Sequence, residues 1–553
     1  MVRMAAGVKE QIRESWGENR QVTGSYDPAL AAKCSNGIFV GTRKDSVLAF
    51  RGIPFACPPV GELRWKRPLP APDGSGVYEA KYNGRTPIQT EWESERASYY
   101  PQGEDCLYLN VWTSPEKRRE GKTVMVFIHG GSYGWGGTAD PLYDGENFVR
   151  AHPEVVLICI AYRVGIAGFI DFSEVPGGED FPDAPNLGLL DQIEALRWIR
   201  KNAAAFGGDP EKVTIFGESA GGGSVSLLPF IPEARGLFRR VIAESGSVAL
   251  TYAKAECLGF TRRLLKEAQA HSMQDLMRMS ESELMKVNEK LNADNNFPQR
   301  DGVLIPEDPY EPYRKGQTVD VDMMIGTNAD ETNYWINEVG GLMSFRMGMP
   351  IQYENKLLHM KPEDRRRARR YMKMGAGRKI WKISAFFTEV MFRLPAVRQA
   401  EEHSRNGGKA FMYYWTKPSA LPYLGACHAV ELAYVFGNES DTIYTGEPAD
   451  PVLARQVQDQ WVRFAETGDP GTEKLPWPAY DPENRWTMML GDPSGAEKDP
   501  LAEQRGLLDP ILDYRLNASY ANLNYNVPFV WKAAGTVLAG LALTALILWL
   551  IFH

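Results

Sequence analysis

Val213-Thr214-Ile215-Phe216-Gly217-Glu218-Ser219-Ala220-Gly221-Gly222-Gly223 opens as a short β-branched strand, passes through Gly-x-Ser-x-Gly and continues in small residues able to start a helix. Such a strand-to-helix turn lifts a serine hydroxyl clear of the backbone. The two glycines let the turn close without Cβ clashes. An unactivated hydroxyl is a poor nucleophile, so it needs a general base and donors for the oxyanion it creates. The helix that follows points free N–H groups at the turn. With 52 glycines in 553 residues, a bare pentapeptide also fits a Gly-rich turn in which Ser219 only caps a helix. Its surroundings therefore decide.

Strands and helices alternate from about Thr123 to Ser247. Thr123 to His129 and Val155 to Tyr162 read as buried strands. Leu187 to Asn202 reads as an amphipathic helix, with Leu190, Ile193, Leu196 and Ile199 at helical spacing. Val213 to Phe216 and Arg240 to Glu244 are the next strands. Asp320 to Gly326 and Lys409 to Trp415 follow later. This alternation predicts an α/β fold with a parallel sheet. Helical stretches about 257–291 and 335–405 interrupt it.

Ile128-His129-Gly130-Gly131-Ser132-Tyr133-Gly134-Trp135-Gly136-Gly137 follows the first of these strands. Gly130 and Gly131 can turn two N–H groups toward one point, and with Ala220 they would form an oxyanion hole. No Gly-Lys-Ser/Thr follows, which argues against a phosphate loop. The expected chain order is nucleophile, acid, histidine. Of the histidines after Ser219, His271, His359 and His403 sit in polar helical stretches and His553 lies beyond a long apolar run. His428, in Gly425-Ala426-Cys427-His428-Ala429-Val430-Glu431-Leu432, is the best candidate base. Asp330 and Glu331 both follow a strand and precede His428, and pattern alone does not separate them.

Hydrophobic content of 44% supplies a large core, and the net charge of -8 argues against nucleic acid as a partner. The six cysteines show no CxxC spacing, so neither a zinc nor a redox site is expected, and no metal or other cofactor is called for. The N-terminal residues lack the apolar core of a secretory signal. Ala533 to Phe552 is an uncharged apolar run of 20 residues, long enough for a bilayer, flanked by Trp531 and Lys532. Residues 529–553 are therefore expected to form a transmembrane tail anchor behind a catalytic domain of residues 1–526. The cluster Arg365-Arg366-Arg367-Ala368-Arg369-Arg370 reads as a solvated helix face, with contact to anionic lipid headgroups as the alternative.

Longer motifs then narrow the class. Arg51-Gly52-Ile53-Pro54-Phe55-Ala56 with Pro58-Pro59-Val60-Gly61, Glu104-Asp105-Cys106-Leu107-Tyr108-Leu109-Asn110-Val111, Asn186-Leu187-Gly188-Leu189-Leu190-Asp191-Gln192 and Phe206-Gly207-Gly208-Asp209-Pro210 occur in order. Together the chain resembles the type-B carboxylesterases, the family of cholinesterases and para-nitrobenzyl esterases, from about Gly37 to Trp486. The resemblance implies an α/β-hydrolase fold and a Ser219, Glu331, His428 triad. It also implies oxyanion donors on Gly130, Gly131 and Ala220, a supporting Ser245 and a small-molecule ester substrate. Tyr133, Trp135 and Trp92 are candidate pocket aromatics. The chain departs from the family in its cysteines. Tyr82 to Gln89 offers no partner for Cys106, and Cys257 stands where the family has a pair. With the missing signal, this points to a domain folded in a reducing compartment, on the cytoplasmic face of a membrane. The sequons Asn438-Glu439-Ser440 and Asn517-Ala518-Ser519 then carry no meaning. The competing readings are a lipase-like esterase and a non-catalytic, neuroligin-like adhesion protein.

Overall fold

The computed structural model describes residue 12 and residues 16–91, 96–115, 121–291, 296–338 and 341–516. The proposed anchor at 529–553 and Trp92 lie outside the described residues. Among those described, no helix is long and apolar enough to cross a membrane.

An eleven-stranded sheet organises the chain. In chain order its strands are β1 (Thr42–Lys44), β2 (Val47–Pro54), β3 (Tyr108–Thr113), β4 (Lys122–Ile128), β5 (Val155–Ile160), β6 (Gly208–Glu218), β7 (Arg240–Glu244), β8 (Asp322–Asn328), β9 (Ala410–Trp415), β10 (Trp486–Leu490) and β11 (Gly495–Lys498). Their spatial order is β11-β10-β9-β8-β7-β6-β4-β5-β3-β2-β1. The run from β10 to β5 is parallel, while β3, β2, β1 and β11 add antiparallel edges.

Burial explains why β5 is apolar at every position and β4 from Val124 onward. In β4, Val124, Val126 and Ile128 enter one core, and Met125 and Phe127 enter the core on the opposite face. β5 divides its side chains the same way, with Val156, Ile158 and Ile160 against Val155, Leu157 and Cys159. Both faces are covered, so no polar face is needed. On the second face Phe127 packs on Tyr143, Phe216 and Phe436 at ring separations of 4.8, 5.0 and 4.9 Å. Such pairs add about 0.5–1.5 kcal/mol each beyond area burial.

The strand before Ser219 is longer than its apolar run. β6 begins at Gly208, where it pairs with Lys122, and a register shift separates that pair from Val213. The helix α1 (Leu187–Asn202) precedes β6, and α2 (Ala220–Leu227) follows it. The chain runs from β4 to β5 on one side and returns through α1 to β6 on the other. That reversal is a switch point, where the carboxyl ends of neighbouring strands leave a crevice. The first helical stretch comprises α3 (Lys254–Ala268), α4 (Met273–Arg278) and α5 (Glu281–Leu291). The second contains α6 (Leu342–Leu358), α7 (Pro362–Tyr371), α8 (Lys379–Thr388), a π-helical turn (Glu389–Arg393) and α9 (Leu394–Arg405).

Candidate active site

Ser219 stands between β6 and α2 with φ 57° and ψ -117°. A non-glycine residue at positive φ costs about 1–3 kcal/mol and persists where its surroundings over-determine it. Here the surroundings do. The Ser219 N–H donates to Glu244 O at 2.8 Å, and Gly223 N–H donates to Ser219 O at 2.8 Å. The glycines on either side are dictated by the approach of β4. A Cβ on Gly217 would lie 2.5 Å from Ile128 O, and one on Gly221 only 1.9 Å. Ser219 is partly exposed, while its neighbours Glu218 and Ala220 are buried.

Gly130 and Gly131 follow β4 and reach the same place. A Cβ on Gly130 would meet Glu218 Oε2 at 2.9 Å and the Ser219 Cβ at 3.1 Å. Gly131 takes φ 98°, then Ser132 and Tyr133 are left-handed at 53° and 57°. Gly134 and Trp135 both donate their N–H groups to Gly131 O at 2.9 Å. His129 braces this turn. Its Nδ1 lies 2.9 Å from Gly130 O, its ring stacks on Tyr162, and burial lowers its pKa to about 4. Tyr133, read as pocket-lining, is fully buried instead, its ring packed edge-on to Phe169 and Phe297. Trp135 is half-buried.

The structure separates Asp330 from Glu331. His428 Nδ1 lies 2.6 Å from Glu331 Oε2, and Glu331 Oε1 accepts the Asn328 N–H at 2.8 Å. Asp330 faces the loop that carries the histidine. Its Oδ2 accepts the Ala426 N–H at 3.0 Å, and its own N–H donates to Ala426 O at 2.9 Å. His428 Nε2 points toward Glu218, 3.1 Å from Oε1, within ion-pair range but outside hydrogen-bond geometry. No hydrogen bond joins Ser219 Oγ to Nε2 among the described residues. Unliganded sites often hold such pairs loosely.

Three buried carboxylates, Glu218, Glu331 and Glu431, act on this imidazole, and a fourth, Glu244, acts on Glu431. Burial pushes Glu218 well above the carboxylate range, Glu244 to about 8 and Glu431 to about 7. Burial also disfavours the imidazolium of His428, yet the charges of Glu218 and Glu331 outweigh it and raise the group to about 9. These opposing demands couple the titration of His428 to that of Glu218. Ser245, one residue past β7, has φ 49° and is fully buried, and its Oγ has no hydrogen-bond partner among the described residues.

Three aromatic rings that pattern reading missed wall the histidine. Phe392, Tyr334 and Trp335 lie 4.9, 5.7 and 6.1 Å from the imidazole. Phe392 sits in the π-helical turn, which is fixed by a buried Arg393–Glu389 ion pair. Tyr334 and Trp335 stand three and four residues after Glu331 and could have been flagged from that proximity. Nothing in sequence marks Phe392. Among the described residues no cluster of His, Cys, Asp or Glu could hold a metal ion. All six cysteines are free thiols.

A mostly parallel sheet with a serine elbow, a glycine turn and a carboxylate–histidine pair at the carboxyl ends of its strands defines an α/β-hydrolase. The carboxylesterase family model matches residues 28–506. The para-nitrobenzyl esterase of Bacillus subtilis is 35% identical over 496 residues, covering 85% of this chain and 96% of the relative. An acetylcholinesterase of Leptinotarsa decemlineata is 29% identical, covering 86% and 85%. A solved carboxylesterase of Geobacillus stearothermophilus superposes with a TM-score of 0.77 at 32% identity, covering 86% of this chain and 99% of its own. The chain belongs to the carboxylesterase family and is a carboxylic-ester hydrolase.

Proposed function

We propose that hydrolysis runs through an acyl-enzyme on Ser219, with His428 as base and then acid, and Glu331 as the carboxylate that orients the imidazole. The observation that carries this reading is the strained elbow of Ser219 at the end of β6, in one site with a His428–Glu331 pair 2.6 Å apart. Nε2 takes the Ser219 proton as Oγ attacks the ester carbonyl. The oxyanion is received by the N–H groups of Gly130, Gly131 and Ala220, the last opening α2, where the first N–H groups have no intrahelical acceptor. The imidazolium gives its proton to the leaving alcohol. Water, deprotonated by the same nitrogen, then releases the acid. Ser245, buried beside Glu244 under the elbow, acts as support for the nucleophile. Turnover of a para-nitrophenyl ester by the purified chain tests the reading. An inert but folded chain would leave the adhesion reading standing.

The carboxylate beside Nε2 sets a pH dependence. The base works only when neutral, so a pKa raised to about 9 places the acid limb of kcat/KM on the alkaline side of an ordinary histidine. Glu218→Gln removes the largest of the carboxylate charges that raise it. The limb is expected to move to lower pH, read from a pH–rate profile. A limb that stays in place or moves up would reject this role for Glu218.

We also propose that the apolar run Ala533 to Phe552 anchors the hydrolase in a membrane, with the catalytic domain on the cytoplasmic side. The length and lack of charge of that run support the anchor, and the six free thiols support the side. Carbonate washing of membranes from cells expressing the full chain tests it. Release into the wash would argue against a span.

A further inference from the structure

The region around α7 is strongly basic on an acidic protein. From Lys361 to Lys382 the sequence holds ten basic side chains against two acidic ones, in a chain of net charge -8. Lys361, Arg366, Arg367, Arg369, Arg370, Lys373, Arg378 and Lys379 are exposed. Internal pairing accounts for little of this charge. Arg367 lies 3.8 Å from Asp364, and Lys379 lies 3.8 Å from Glu354. Arg366, Arg369, Arg370, Lys373 and Arg378 have no ion-pair partner among the described residues. Six cations spaced along ten residues repel one another, so a helix of this composition calls for an external anion.

The contact of Tyr514 with the start of α7 bears on which anion. Tyr514 lies two residues before the last described residue, and its hydroxyl donates to Asp364 Oδ2 at 2.6 Å. The same hydroxyl accepts the Lys361 N–H at 3.0 Å. The last described residues therefore lie at the foot of α7, and sixteen residues of sequence separate Leu516 from the apolar run at Ala533. A tether that short confines the domain to within about 55 Å of the start of the run. Leu358, 71% exposed, lies three residues before Lys361, so an apolar side chain flanks the basic surface at the same foot.

We propose that the Lys361–Lys382 face, with Leu358 at its edge, docks on anionic lipid headgroups and orients the hydrolase on the membrane that holds it. This deepens the anchoring proposal and rests on it for the tether. Headgroup contacts too weak to recruit a free protein suffice to orient a tethered one, because the tether supplies the effective concentration. Docking also bears on the site. The face includes the start of α8, which holds the segment after Glu331 through Thr332 Oγ1 to Ser384 O at 2.7 Å.

The test uses the full chain reconstituted in phosphatidylcholine nanodiscs, with and without phosphatidylserine. Amide exchange across 358–382 is expected to slow severalfold only with the anionic lipid, and to recover at high salt. A variant carrying R366Q, R369Q, R370Q and R378Q, all exposed and unpaired, should hydrolyse a soluble ester at the unchanged rate and lose the slowing. Equal exchange in both lipids, or slowing that survives in the variant, overturns the docking face while leaving the anchor intact. If carbonate releases the chain, the anchor fails and vesicle flotation decides the face alone. Co-flotation with phosphatidylserine vesicles that the variant loses supports it, and no flotation overturns it.

Discussion

Ser219→Ala is expected to lower ester hydrolysis by about 10⁴-fold or more with no loss of stability, because triad members act as a unit. The stability half follows from the geometry. Ser219 Oγ makes no hydrogen bond among the described residues, so its removal leaves no buried partner unsatisfied, and a partly exposed site without such a partner shifts stability by less than about 0.5 kcal/mol. The backbone strain at φ 57° is the same for alanine as for serine. Ser219→Gly, by contrast, relieves it and is expected to be inactive yet more stable, by about 1 kcal/mol. The two variants together separate the chemistry of the hydroxyl from the strain that presents it. A purified Ser219→Ala chain with its thermal transition unmoved and a tenth of the activity retained would remove Ser219 from the role of nucleophile.

The strands that position this serine were legible because each is a short, continuous apolar run, which a sheet covered on both faces requires. The elbow was legible because a close approach of β4 to α2 admits only glycine at 217 and 221, and glycine is a visible letter. The polar start of β6 was not. Asp209 to Lys212 carry no strand signal, and only the pairing of Gly208 with Lys122 places them in the sheet. The antiparallel strands were missed as well: β1 and β11 are short and half-exposed, while β2 and β3 are buried but have their apolar runs broken by Arg51, Gly52 and Asn110. Glu218 was quoted inside the motif, yet its contact with His428 joins residues 210 apart in sequence, and nothing local reports it. Phe392 is hidden for a like reason: it stands in the π-helical turn between α8 and α9, and its ring meets the imidazole across a loop. What sequence carries well is conformation forced on a few adjacent residues. What it carries poorly is who meets whom across loops.

The acid is where that limit matters most, and the geometry turns it into the second large effect. Glu331→Gln is expected to cost about 10³-fold or more in kcat/KM, while Asp330→Asn costs less than about threefold. Glu331 accepts two hydrogen bonds at once, from the Asn328 N–H on Oε1 and, when Nδ1 is protonated, from His428 on Oε2. An amide has a single acceptor oxygen. If that oxygen stays toward Asn328, the NH₂ group faces Nδ1, which must then accept, and the proton moves to Nε2, where a base is needed. If the amide flips, its NH₂ group meets the Asn328 N–H, and a buried donor pair is left unsatisfied at about 1–3 kcal/mol. Neither rotamer supplies the negative charge that stabilises the imidazolium. Asp330 is different. Its Oδ2 accepts one backbone N–H, from Ala426, and the amide oxygen of asparagine can accept the same bond. The measurement is kcat/KM for a para-nitrophenyl ester on both purified variants, each with its thermal transition. A greater loss in Asp330→Asn than in Glu331→Gln, with both chains folded, would overturn the assignment of the acid.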